Sequence, residues 1–86
     1  MKTKIIIKDP AGMHARPASI VSSEASKFDS DIKITFNGNE ADMKSIMSIM
    51  MLGITKDAEV EILAEGTDAE KAIESIQAVM KENNLI

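Results

Sequence analysis

The segment AGMHARPAS, residues 11–19, carries the only histidine of the chain, two residues before Arg16 and three before Pro17. These residue types at this spacing suit the handling of an anion by a nucleophile. Proline is tolerated in the first turn of a helix and breaks its interior, so a helix begins at Pro17 or shortly before it, with His14 at or just outside its N-terminus. Unpaired backbone N–H groups at such an end carry partial positive charge, and Arg16 adds a planar, permanently charged donor. Ala15, Arg16 and Pro17 would then shape a phosphate-binding helix start beside the ring. Positive surroundings disfavour a protonated imidazole and leave a nitrogen lone pair able to attack, and the same donors support a phosphoryl group once it is carried there. An exposed helix end contributes roughly 0.3–1 kcal/mol toward a nearby charge and a charge-assisted hydrogen bond about 1.5–3 kcal/mol. That is enough to hold a phosphoryl group and weak enough to release it. The same residues also read as a surface histidine beside a solvated arginine, so the spacing supplies a mechanism without proving one.

The rest of the composition narrows the field. At 86 residues the chain is expected to form one domain, 1–86, with one core and no room for a deep cleft. It has no cysteine, so stability must come from packing, and a single histidine argues against a metal site; no cofactor is expected. The net charge of −4, with acidic and basic residues interspersed, offers no stripe that would neutralise a nucleic-acid backbone. The longest apolar stretch, residues 46–54, falls short of the roughly 20 residues that span a bilayer, and Ile5–Ile7 is too short a run for a signal peptide. A cytoplasmic chain without membrane insertion is the expectation.

Strands and helices must alternate to position His14. Residues 2–8, KTKIIIK, read as a strand that DPAG at 9–12 ends. Ala18, Val21, Ala25 and Phe28 then recur at helical spacing. DIKITF at 31–36 alternates strictly and runs into Asn37-Gly38, a dipeptide favoured in two-residue hairpin turns, with NEAD at 39–42 as the return strand. Residues 45–52 read as a short helix capped by Ser45 and ended by Gly53. EVEIL at 59–63 alternates again, with one face in water and Gly66 closing the strand. Thr67 with Glu70 forms a capping box, and Ala69, Ala72, Ile73, Ile76 and Met80 trace the apolar stripe of a last helix. The order strand-helix-strand-strand-helix-strand-helix predicts an α+β sandwich, amphipathic helices covering one face of a mostly antiparallel sheet.

The helix at 45–52 holds too many hydrophobic residues for all to point inward. Ile49 and Leu52 are assigned to the core and Met47 and Met50 to the surface, where flexible thioether side chains suit a face that serves several partners.

GMHARPAS at 12–19 resembles the active-site segment of the HPr family, the histidine-containing phosphocarriers of the bacterial sugar phosphotransferase system. KSIMSIM at 44–50 resembles that family's regulatory segment, and the order of elements matches over the whole chain. The resemblance implies an open-faced two-layer sandwich, three helices on a four-stranded antiparallel sheet. It implies that His14 accepts a phosphoryl group on its δ nitrogen from phosphorylated Enzyme I and passes it to the IIA component of a sugar-specific Enzyme II, with Arg16 assisting and Pro17 shaping the helix start. It further implies regulatory phosphorylation of Ser45 by a dedicated kinase/phosphorylase, a link to a catabolite-control transcription factor, and partner docking through Ile46, Met47 and Met50. A freely diffusing monomer fits such a shuttle. Ala11 departs from the family pattern where many relatives carry a small polar residue, and Ser48 departs where a glycine is common.

Other classes compete. A small regulatory or ligand-binding α+β domain would show no covalent histidine modification. A histidine-based enzyme would need a second acid, base or metal group beside His14. Within the carrier class, service in a specialised regulatory phosphorelay is the alternative to sugar uptake.

Overall fold

The alternation read in the sequence is what builds the sheet. In the computed structural model, which describes Met1–Ile86, Ile32 and Ile34 of β2 (Asp31–Phe36) and Val60, Ile62 and Ala64 of β4 (Glu59–Glu65) are buried. Their neighbours Asp31, Lys33, Glu59 and Glu65 are exposed on the other face. With β1 (Lys2–Ile6) and β3 (Asn39–Asp42) the strands form one antiparallel sheet in the order β1-β4-β2-β3. The hairpin joining β2 to β3 turns through Asn37 and Gly38 at φ +52° and +78°, both in the left-handed region that a type I′ turn demands. On the solvated face Lys4 stands opposite Glu61, and Lys33 Nζ lies 3.2 Å from Glu40 Oε1.

Three helices, α1 (Ala15–Ala25), α2 (Ile46–Met51) and α3 (Ala69–Glu82), cover the apolar face. Val21 and Ala25 of α1, Ile49 of α2 and Ala72, Ile73, Ile76 and Met80 of α3 join the buried strand residues in one cluster, so sheet and helices share a single core. The architecture is the open-faced α+β sandwich that the element order predicts.

Several boundaries differ for visible reasons. β1 stops at Ile6, two residues early: Ile7 N–H still reaches Ala58 O in register at 3.0 Å, but the Ile7 carbonyl accepts from Asp57 N at 2.7 Å while Ala58 N–H turns to Thr55 O, and Lys8 N–H donates to Leu85 O at 2.7 Å. β4 runs two residues further than Leu63, since Ala64 and Glu65 still pair with Ile32 and Asp31. Phe28 lies beyond the end of α1 and only packs against the core.

The capping box expected at Thr67 and Glu70 does not form. Asp68 is the N-cap of α3 and makes no cap hydrogen bond with its side chain. Its carboxylate instead accepts from Ser30 Oγ, from Asp29 N at 2.9 Å and from Ser30 N at 3.0 Å, tying α3 to the loop before β2. These donors, the Ser30 hydroxyl foremost and the Asp29 amide next, hold the Asp68 carboxyl below its ordinary range. A carboxyl so lowered contributes stability that is present above the ordinary aspartate value of about 3.9 and is lost as pH falls through the folded-state value. The urea midpoint of Asp68→Asn is therefore expected to lie below that of the unaltered chain at pH 7, with the gap closing below about pH 4. A gap unchanged from pH 7 to pH 2 would refute the assignment.

Candidate functional site

The loop that carries His14 is seated by Gly12. Its φ of +68° lies where side chains are strained, and a Cβ there would fall 2.2 Å from the Ile54 carbonyl oxygen. Met13 N–H donates to that same oxygen at 3.1 Å, and the Met13 side chain is buried. The histidine loop thus lies backbone to backbone against the segment that follows α2. The DPAG sequence marks a turn but gives no sign of this long-range contact.

His14 is the N-cap of α1, with extended backbone, and its side chain makes no cap hydrogen bond. The helix starts at Ala15, so Pro17 sits in the first turn, where its missing N–H leaves no intrahelical bond unmade. Ala18 N–H is the first to bond back, to His14 O at 3.0 Å. The N–H groups of Ala15 and Arg16 have no partner in the chain, and Arg16 is exposed with no carboxylate paired to its guanidinium. Pro17 is buried and anchors the helix start. The His14 side chain is 42% exposed, on open surface, and lines none of the four surface depressions.

One neighbour was not foreseen. The Asp9 carboxylate lies 3.4 Å from His14 Nε2, so the ring is not in the purely positive surroundings that its own segment suggests. Asp9 Oδ1 also accepts from Ala11 N at 2.9 Å, the side-chain turn that an aspartate preceding proline favours. The signal was present in the DPAG stretch, but it gave no direction for the carboxylate.

Ser45 is the N-cap of α2 as expected, its Oγ accepting from Ser48 N at 3.2 Å, and Gly53 at φ +69° follows the helix end with its N–H bonded to Met50 O. Ile49 is fully buried and Leu52 partly so. Ile46, Met47 and Met50 are exposed, as is Met51, which at 82% is the most exposed large hydrophobic residue of the chain and was missed. The four form an apolar surface on the helix three residues upstream of Ile54, against which the histidine loop rests.

A family model described as "PTS HPr component phosphorylation site" matches residues 1–82. The chain belongs to the HPr family. The phosphocarrier protein HPr of Mycoplasma pneumoniae is 45% identical over 86 residues, 99% of this chain and 98% of that protein, and that of Mycoplasma genitalium is 46% identical over the same shares. Among solved structures, a histidine-containing phosphocarrier protein from Mycoplasma superposes with a TM-score of 0.97 at 44% identity, covering 100% of this chain and 98% of that one. Against the HPr pattern, the two departures engage only backbone atoms locally. Ala11 presents its N–H to Asp9, and Ser48 presents its N–H to Ser45.

Proposed function

We propose that residues 1–86 act as one phosphocarrier domain of the sugar phosphotransferase system, in which His14 Nδ1 takes a phosphoryl group from phosphorylated Enzyme I, itself charged by phosphoenolpyruvate. The group then passes to the IIA component of a sugar-specific Enzyme II. The observation that carries this reading is the exposed His14 ring at the start of α1, beside two unpartnered N–H groups and an unpaired Arg16, in a chain of the HPr family. The Nδ1 lone pair attacks phosphorus while the donor's P–N bond breaks, its electron pair returning to the donor ring. The Ala15 and Arg16 amides and the Arg16 guanidinium receive the charged oxygens, and Pro17 fixes the helix start that presents them. An open surface suits this task, because both donor and acceptor are proteins that must reach the same nitrogen. In this reading the carrier is a cytoplasmic, monomeric shuttle. Incubation with phosphoenolpyruvate and Enzyme I is expected to load one phosphate that is lost in acid and survives base. No uptake, or an acid-stable phosphate, would overturn the reading.

Ile46, Met47 and Met50, with Met51, form the docking face for both protein partners in this reading, and Ser45 at its edge is the regulatory site of a kinase/phosphorylase and the handle for a catabolite-control factor. A phosphate on Ser45 adds about two negative charges beside Ile46 and Met47, at an apolar face that must be desolvated on docking. Aspartate is itself a good N-cap, so Ser45→Asp keeps α2 folded while supplying charge. The variant is expected to slow His14 phosphorylation by Enzyme I about tenfold, ~1.4 kcal/mol. Equal rates with unchanged far-UV circular dichroism would reject the regulatory role.

A further inference from the structure

Asp9 lies outside the motif that carries the family likeness, yet it is the one carboxylate paired with the histidine ring. Its Oδ1 is 3.4 Å from His14 Nε2, long for a hydrogen bond of about 2.7–3.2 Å but well within the range of a charge contact. The carboxylate does not depend on the ring for its place. Oδ1 accepts from Ala11 N at 2.9 Å and the Asp9 carbonyl accepts from Gly12 N at 2.9 Å, so the turn 9–12 holds the residue from both ends. The Asp9 side chain is only 17% exposed against 42% for His14.

A neutral imidazole has one N–H and one lone pair, and a carboxylate only accepts. The pair makes no hydrogen bond, but with the Asp9 carboxylate beside Nε2 the tautomer carrying its hydrogen there turns the positive end of an N–H dipole toward the charge, whereas the other would set a lone pair against it. The geometry points to Asp9 as a positioning residue for phosphoryl transfer: its carboxylate keeps the hydrogen on Nε2 and reserves the Nδ1 lone pair for phosphorus. The inference rests on His14 being the phosphoryl acceptor. Its consequence extends to the loaded state. When the Nδ1–P bond forms with Nε2 still protonated, the ring becomes cationic and Asp9 balances that charge. When the bond breaks, its electron pair returns to Nδ1 and a neutral imidazole with its Nε2–H departs, so neither direction requires a proton to move. Loss of the Nε2 proton would instead leave an imidazolate to be expelled, a far poorer leaving group.

Asp9→Asn keeps an oxygen for the Ala11 amide and removes the charge at the ring. Nitrogen-15 spectra of His14 with the ring neutral are expected to show Nε2–H almost alone in the unaltered chain and a measurable share of Nδ1–H in the variant. Phosphoryl transfer from the loaded variant to a IIA acceptor is expected to slow about tenfold. A hydrogen on Nδ1 in the unaltered chain would overturn the proposal, a result that needs no variant to fold and no phosphate to transfer. Identical tautomer populations, or transfer rates within about twofold, would overturn it as well, leaving His14 as acceptor intact. Failure of the unaltered chain to take up an acid-labile phosphate would overturn both.

Discussion

His14→Ala is expected to take up no acid-labile phosphate, a fall of at least about a thousandfold, while leaving the folding free energy within about 0.5 kcal/mol of the unaltered chain. The two halves of that outcome have separate causes. The chain has no second imidazole, so no other side chain can supply a histidine nucleophile. The folded structure asks little of the ring: it is 42% exposed, makes no cap hydrogen bond, and touches Asp9, which keeps its bond to the Ala11 amide without it. Uptake of phosphate measured beside urea unfolding separates the two. A variant that still gained an acid-labile phosphate would defeat the assignment of His14.

The largest expected effect on stability comes from Gly12→Ala. A left-handed φ of +68° costs a residue with a Cβ about 1 kcal/mol, and the new methyl would lie 2.2 Å from the Ile54 carbonyl oxygen and 2.8 Å from Thr55 Cα, both backbone atoms of a neighbouring segment. Relief requires the two loops to part, which also strains the Met13–Ile54 hydrogen bond. A loss of about 3 kcal/mol is expected, a large share of the roughly 4–13 kcal/mol that holds a domain of this size together. In a thermal melt this corresponds to a fall of about 12–24 °C. Gly38→Ala at φ +78° has open space around it and should cost only the backbone strain, so equal losses at the two glycines would refute the steric account.

What the sequence disclosed and what it withheld divide by range. Alternation in Ile32, Ile34 and in Val60, Ile62, the Asn37-Gly38 turn, the apolar stripe of α3 and the Ser45 cap are all settled by residues close to one another, and each is present as read. Thr67 and Glu70 have the spacing of a capping box, but Asp68 is claimed by Asp29 and Ser30 some 38 residues away, and that contact decides how α3 begins. At the site, Pro17 places the helix start from sequence alone. The approach of Asp9 to the ring and the tight seat of Gly12 on Ile54 depend on where a turn and a distant loop come to rest. Apolar count predicted that α2 must expose methionine, and Met47 and Met50 are outward. Met51 escaped because so short a helix does not fix which of its last residues turns to the core.

The strand order β1-β4-β2-β3 has a consequence for how the protein is made. β1 joins the sheet only through β4, Lys2 lying opposite Leu63, so β1 finds no strand partner until β4, the last of the four strands, has been made. Until Ile54 has been made, the histidine loop has nothing to rest on. A nascent chain halted before β4 would hold a β2–β3 hairpin and unanchored helical segments, and the sheet on which the helices pack is complete only once β4 has followed.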